Sequence, residues 1–250
     1  MSGWVQIAGL GPGAVELVTP EVRAALDEAT DIVGYAPYVV RVPPREGLTP
    51  HPSGNGVELD RANSALRMAL EGRRVIVVSS GDPGVFAMAA AVFEALEAGP
   101  EEWRDLDIRV LPGVTAMLAA AARVGAPLGH DFCAINLSDN LKPWALIERR
   151  VRLAAEGDFA MAMYNPRSVS RPEGFARVLE MLKEICDDER PVIFARNVSL
   201  PGEEIRVVPL PEAVPEMADM RTVVLVGSSL TRTVVCAGGP AVYTPRSAPV

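Results

Sequence analysis

Histidine and cysteine are scarce: the sequence has His51 and His130, and Cys133, Cys186 and Cys236, with no CxxC pair among them. Residues so few and so far apart do not supply the clustered ligands of a zinc site. An odd, widely spaced cysteine set fits a reducing cytoplasm better than a disulfide framework. Long apolar runs are also missing. Stretches such as 117–122 fall far short of the roughly 20 residues that a bilayer requires, so no membrane span is expected. No basic segment followed by an apolar one opens the sequence, so no signal peptide is expected either. Basic residues are the minority, 24 Lys and Arg against 32 Asp and Glu, for a formal charge of −8. That balance argues against nucleic acid as a partner, because phosphate binding needs a basic face; a small anion needs only a local group of arginines.

What is present points to a folded α/β protein. The chain has 250 residues, 49% of them apolar, enough for one large or two modest domains with real cores. Short β-branched runs alternate with helix-period segments, the pattern of α/β layering. Strands are expected at 73–79 and 107–111, then at 133–137, 159–164, 192–195, 205–208 and 222–226. One amphipathic helix carries Ala62, Ala65, Leu66, Ala69 and Leu70 on its inner face and stops at Gly72. A second stripe, Val85, Met88, Ala89, Val92, Phe93 and Leu96, stops at Gly99-Pro100. Further helices are expected at 144–155 and 173–185, the latter with Phe175, Val178, Leu179 and Leu182 inward. The late strands follow one another without full helices between them, which predicts a mixed sheet. The expected organisation is an N-terminal, mostly parallel α/β domain over 1–113 and a C-terminal mixed α/β domain over 114–241, packed with a cleft between them. The end of the chain is Pro- and Ala-rich from Gly239, and 242–250 is expected to be a frayed tail.

The first candidate motif is Gly9-Leu10-Gly11-Pro12-Gly13-Ala14, which follows an apolar run. It satisfies G-x-G-x-x-G/A, and Asp31 stands about 20 residues on, where a nicotinamide enzyme would want a ribose-binding acid. That reading needs a helix to start inside the glycine loop, with its N-terminus facing a pyrophosphate. The best helix start instead lies at Thr19-Pro20-Glu21: an N-cap hydroxyl, a proline at the first helical position and an acid in the first turn. Two more glycine-bearing loops follow strands at their carboxyl ends, where ligands bind in open α/β sheets: Ser79-Ser80-Gly81-Asp82-Pro83-Gly84 and Pro112-Gly113-Val114-Thr115-Ala116.

An early GxGPG, a central GDP loop and a PGxTA segment, in this order and at this spacing, resemble the tetrapyrrole (corrin/porphyrin) methyltransferases over nearly the whole chain. Val33-Gly34-Tyr35-Ala36-Pro37-Tyr38-Val39, Gly125-Ala126-Pro127-Leu128-Gly129-His130-Asp131-Phe132, Leu137-Ser138-Asp139-Asn140-Leu141-Lys142-Pro143-Trp144 and Tyr164-Asn165-Pro166-Arg167-Ser168 are similar to the branch that methylates precorrin-3B at carbon 17. Ala36-Pro37 departs from that branch's pattern, as does the stretch 51–58. The resemblance implies S-adenosylmethionine as methyl donor, S-adenosylhomocysteine as by-product, a tetrapyrrole substrate and a homodimer. It implies cofactor contacts at Pro12, Ser80, Gly81, Asp82, Val85, Thr115, Ala116, Tyr164, Asn165, Asn197 and Val198. Asp82 has two readings, pairing with the donor's ammonium group or capping the helix that follows. For proton transfer during ring contraction the candidates are His130, with Asp131 beside it, and Tyr35, Tyr38 and Asp139; each also reads as an ordinary loop residue. A disc edged with carboxylates calls for guanidinium or ammonium partners, and Arg41, Lys142, Arg167, Arg171 and Arg196 are the candidates, with Arg167 and Arg196 just beyond strand ends. The three cysteines read as small core hydrophobes. Alternatives are another tetrapyrrole methylase with a different position or a cobalt-containing substrate, a nicotinamide oxidoreductase, and a non-catalytic corrin carrier.

Overall fold

The apolar run after the amino terminus folds as β1 (Trp4–Gly9), a central strand flanked on both sides in a five-stranded sheet. The computed structural model describes residues 3–247, and the chain divides into two units between Thr115 and Ala116. In the first unit β1 is joined by β2 (Asp31–Tyr35), β3 (Thr49–Ser53), β4 (Arg74–Ser79) and β5 (Asp107–Leu111), in the order β3-β2-β4-β1-β5. Every pairing is parallel. Parallel neighbours need crossovers, and α1 (Pro20–Glu28), α2 (Ala36–Val39), α3 (Glu58–Leu70) and α4 (Met88–Ala98) lie in those connections. Strand alternation sorts the core into two layers. Val5, Ile7, Val75 and Val77 pack with Ala62, Leu66 and Val92 of α3 and α4. Ala8, Ile32, Ile76 and Val78 pack with Val22 and Ala25 of α1. Both faces of the sheet are therefore covered, which is why β4 reads as a continuous apolar run.

Several expectations shift in detail. The second helix does not include Val85: Val85 lies in a turn, Phe86 follows with a left-handed φ of 54°, and α4 starts only at Met88. Its buried face is Met88, Ala89, Val92 and Ala95; Phe93, five residues beyond Met88, falls at the rim of that face and is exposed. Leu70 at the end of α3 is likewise exposed. Strand β3 was not expected; its sequence, Thr-Pro-His-Pro-Ser, carries two prolines, which only an edge strand tolerates.

The second unit contains α5 (Ala116–Val124), β6 (Gly125–Ala126), β7 (Phe132–Asn136), α6 (Trp144–Glu156), β8 (Ala160–Tyr164), α7 (Gly174–Ile185), β9 (Pro191–Arg196), β10 (Glu204–Pro209), β11 (Thr222–Val226), β12 (Arg232–Cys236) and β13 (Gly239–Tyr243). Its main sheet runs β10-β9-β11-β8-β7, with β7 and β8 parallel and the other pairs antiparallel, the mixed sheet that closely spaced strands predict. α7 buries Phe175, Val178, Leu179 and Leu182, each contributing on the order of 1.5–3 kcal/mol by leaving water. The chain from Gly239 is not frayed: β13 pairs with β12 and β6, and Thr244 is buried, bonding Thr231 and the Pro127 carbonyl. These pairings supply the backbone partners that composition alone does not reveal; residues 248–250 of the expected tail lie outside the described residues. Cys186 is buried and Cys133 half-buried, but Cys236 is exposed on the edge strand β12, so it is no core residue.

Candidate active site

The glycine loops after β1, β4 and β5 meet at the carboxyl edge of the first sheet because those strands are neighbours. Gly11 and Gly81 form an isolated antiparallel bridge, with Gly11 N–H donating to the Gly81 carbonyl at 3.2 Å and Gly81 N–H donating back at 2.9 Å. Gly11 has a φ of 64°, which glycine adopts without strain. A Cβ on Gly9 would lie 2.5 Å from the Gly81 oxygen and 2.8 Å from the Gly113 Cα; one on Gly113 would lie 2.2 Å from that same oxygen. Three motifs that are far apart in sequence thus interlock through backbone alone, and no side chain fits between them. α1 begins at Pro20, with the Thr19 hydroxyl accepting from Val22 N–H at 3.3 Å. The helix dipole required by the dinucleotide reading is therefore absent from the glycine loop.

Asp82 makes bonds that neither of its two readings named. One carboxylate oxygen accepts from Gly84 N–H at 2.8 Å, and the other from Gly113 N–H at 3.0 Å. It does not cap α4, whose N-cap Ala87 has no side-chain bond; it ties its own loop to the one after β5. An ionised carboxylate has about four lone-pair sites, so room remains for a cationic donor. Arg41 reaches the same loops from the end of α2. Its Nη2 donates to the carbonyls of Leu10 at 2.6 Å, Gly11 at 3.1 Å and Gly13 at 3.3 Å, and its Nη1 to the Ser80 hydroxyl at 3.3 Å. Pro12 is buried within this loop, Val85 N–H closes a turn on the Asp82 carbonyl, and Thr115 is buried at the end of the unit.

In the second unit, the carboxyl ends of β7, β8 and β9 lie along one edge with the start of β11. Asn136 ends β7, and its side-chain oxygen accepts from Ser138 N–H at 2.9 Å and from the Asn165 amide at 3.1 Å. Asn165 and Asn197, after β8 and β9, both adopt left-handed φ, near 52° and 51°, a conformation that asparagine tolerates better than most residues. The Tyr164 hydroxyl accepts from Met117 N–H at 3.0 Å, next to Ala116 at the start of α5. Asn197 N–H donates to the Arg221 carbonyl, and Val198 is buried beside it. Asn136 and the 219–222 loop were missed by sequence reasoning; the only signal was a polar residue ending an apolar strand.

Three of the basic candidates on this edge are paired. Arg196 Nε meets Asp219 at 2.8 Å, Arg167 meets Glu216 at 3.8 Å, and Arg171 meets Asp139 at 3.9 Å. Burial by itself would raise the Asp219 carboxyl, but hydrogen bonds from Arg196, Arg221 N–H and Thr222, with the Arg196 charge, hold it below its ordinary value. Burial, with Arg150 nearby, lowers the Lys142 ammonium. A cavity of about 390 Å³ opens beside Arg167, Val169, Asp219 and Met220, and Val169 and Leu141 on neighbouring loops are fully exposed. His130 is not in this group. It precedes β7, at the amino end of the strand whose carboxyl end leads to Asp139, a separation of at least about 13 Å along the strand. His130 Nδ1 accepts from Asp131 N–H at 2.8 Å and stands 3.7 Å from the Asp131 carboxylate. Tyr35 lies in the first unit, at the end of β2.

The family model for Tetrapyrrole (Corrin/Porphyrin) Methylases matches residues 5–214. A precorrin-3B C(17)-methyltransferase from Sinorhizobium sp is 51% identical over 247 residues, 98% of this chain and 97% of that protein. A crystal structure of the methyltransferase CobJ is 69% identical and superposes with a TM-score of 0.94, covering 98% of this chain and all of that one. The uroporphyrin-III C-methyl transferase of Thermus thermophilus, solved with S-adenosyl homocysteine, shares the fold at 22% identity and a TM-score of 0.68, over 90% of this chain and 97% of its own. With interlocked glycine loops in place of a phosphate-binding helix, and a family match spanning both units, this chain belongs to the tetrapyrrole methylases.

Proposed function

We propose that this protein transfers a methyl group from S-adenosylmethionine to carbon 17 of precorrin-3B, with ring contraction to precorrin-4, in cobalamin biosynthesis. The observation that carries this reading is the 51% identity to a precorrin-3B C(17)-methyltransferase over nearly the full length of both chains. S-adenosylmethionine supplies an electrophilic methyl when bound. The chain's own task is to hold donor and acceptor carbon in line and to keep water out. The glycine wall of Gly9, Gly81 and Gly113 suits a ligand gripped through backbone, since no side chain fills it. On the first unit Pro12, Ser80, Gly81, Asp82, Val85 and Thr115 are the proposed cofactor contacts, with the spare lone pairs of Asp82 suited to the donor's ammonium. On the second unit Ala116, Tyr164, Asn165, Asn197 and Val198 are proposed. Arg167 and Arg196 are proposed to meet substrate carboxylates by exchanging their present partners, Lys142 to meet one directly, and Asp139 to handle a proton.

The protein is proposed to act in the cytoplasm as a homodimer. Its free cysteines fit a reducing compartment, and the exposed Val234 and Val235 on the edge strand β12 fit a covered surface. No helix among the described residues is long and apolar enough to cross a membrane. The direct test is methyl transfer from labelled S-adenosylmethionine to metal-free precorrin-3B, with NAD binding as a control. Binding of NAD without S-adenosylmethionine would replace this reading with the oxidoreductase one, and tetrapyrrole binding without turnover would replace it with a carrier.

A further inference from the structure

Near the glycine loops, the carboxyl edge of the first sheet holds two guanidinium groups that make no ion pair with an acid among the described residues. Arg61, in the first turns of α3, is 5% exposed. Its Nε donates to the Ser53 hydroxyl at 2.8 Å, its Nη2 to the Gly54 carbonyl at 2.7 Å and its Nη1 to the Met88 sulfur at 3.1 Å. All of these partners are neutral, and the thioether is a weak acceptor. Glu58 bears on Arg61 only through its charge and makes no ion pair with it. Arg41 is half-buried, and its partners are the backbone carbonyls and the Ser80 hydroxyl described above; its Nε–H meets no acceptor among the described residues. A buried cation without an ion-pair partner is costly to keep, and Arg61 is one, with the half-buried Arg41 near the same loops, in a chain of net charge −8.

Two phenols stand with them. Tyr35 and Tyr38 are packed edge to face, with centroids 5.3 Å apart. Neither hydroxyl has a hydrogen-bond partner among the described residues. Tyr38 lies within electrostatic reach of both arginines. The ends of β2 and β3, the single turn of α2 and the residue after β4 therefore bring together two idle O–H donors, an idle N–H donor and an uncompensated charge. Each of these groups can donate to an anion, and the guanidinium charge adds to that preference.

We propose that Tyr35, Tyr38 and Arg41, backed by the buried Arg61, form a carboxylate-binding subsite at the carboxyl edge of the first sheet. Its ligand is a planar carboxylate, which accepts from the phenols and the guanidinium while Arg61 supplies charge from behind. Such a carboxylate comes either from the rim of the macrocycle or from the methionyl end of the methyl donor. The macrocycle source rests on the function proposed above; the chemistry of the subsite does not. Tyr35, read from the sequence as a proton-transfer residue, becomes a binding donor.

The experiment compares wild type with Tyr38→Phe, Arg61→Met and Arg61→Lys. Affinities are measured for uroporphyrin III, S-adenosylhomocysteine and 5′-methylthioadenosine, the last lacking the amino-acid carboxylate. Tyr38→Phe keeps the ring contact and is expected to weaken the carboxylate-bearing ligand about 10-fold, with Arg61→Met weakening it more and Arg61→Lys partly restoring it. Loss confined to uroporphyrin assigns the carboxylate to the macrocycle. Loss for S-adenosylhomocysteine but not for methylthioadenosine assigns it to the donor. Unchanged affinity of Tyr38→Phe for both carboxylate ligands, or equal loss for all three ligands, overturns the subsite. If wild type binds no uroporphyrin, the macrocycle source is rejected for this probe, and the subsite is judged on the adenosyl pair alone. Should Arg61→Met fail to fold, Tyr38→Phe still decides.

Discussion

Replacing Gly113 by alanine puts a methyl group 2.2 Å from the Gly81 carbonyl oxygen and 2.8 Å from the Gly9 Cα. Both are backbone atoms of strand ends, so no rotamer change relieves the clash. The loop must retreat by about 1 Å to approach ordinary contact at 3.4 Å. That movement stretches the 3.0 Å bond from Gly113 N–H to Asp82 beyond bonding range. Overpacking of this kind costs about 1–3 kcal/mol. A lost bond to a partly exposed carboxylate adds roughly 1.5 kcal/mol, so the expected destabilisation is about 2.5–4.5 kcal/mol. Gly9→Ala meets the same oxygen at 2.5 Å and should cost a similar amount. Once either methyl has spread the loops, the second finds space, so the double variant should fall short of additivity by at least about 1 kcal/mol. Urea unfolding read by tryptophan fluorescence in a Trp144→Phe background isolates the first unit, because Trp4 and Trp103 then report alone. S-adenosylhomocysteine affinity, measured in parallel, should fall at least about 10-fold. Additive costs, or a Gly113→Ala protein as stable as its parent with unchanged affinity, would refute the interlock.

Asp82→Asn keeps one acceptor oxygen but turns an N–H₂ toward a backbone N–H, so it should cost about 1–2 kcal/mol and weaken S-adenosylhomocysteine binding, as read by calorimetry. His130→Ala should leave kcat within about twofold of wild type, because His130 stands at the amino end of β7; a loss of about 100-fold or more would return it to the chemistry. Burial would raise the Asp158 carboxyl, but bonds from the Ser229 hydroxyl and N–H, and the charge and bond of Arg190, hold it below its ordinary value. A carboxyl depressed in the folded state contributes stability that is complete above the unfolded value, about pH 3.9, and is lost as pH falls through the folded one. Asp158→Asn should therefore flatten the acid limb of unfolding free energy against pH. It should also cost about 1–3 kcal/mol at neutral pH, discounted for Asp158's partial exposure, by leaving the buried Arg190 with Asp187 alone.

Much of the fold was legible because local and global preferences agree. β11 (Thr222–Val226) forms over the residues that its β-branched run predicts, and Thr19-Pro20 starts α1 through the expected hydroxyl cap. The inward face of α7 also follows directly from its spacing. Where the reading failed, partners distant in sequence decided. The Pro-containing β3 is a strand only because β2 offers it an edge, and β13 is ordered only because β12 and β6 flank it. His130 and Asp139, two of the proton-transfer candidates, flank opposite ends of β7, a separation that shows only once the strand is in place. The convergence of the glycine loops could be inferred from their strand-end positions. Two other features could not: the bond from Asp82 to Gly113, and the charge of Arg61 hidden on the inner side of a helix that otherwise reads as ordinary.

Incubating the purified protein with metal-free precorrin-3B and S-adenosylmethionine carrying a ¹³C methyl group tests the proposed reaction most directly. A single product with one added methyl is expected, its label assigned by NMR to carbon 17 of a contracted macrocycle, with one S-adenosylhomocysteine per turnover. Label at another carbon, or turnover only with the cobalt-containing substrate, would contradict it.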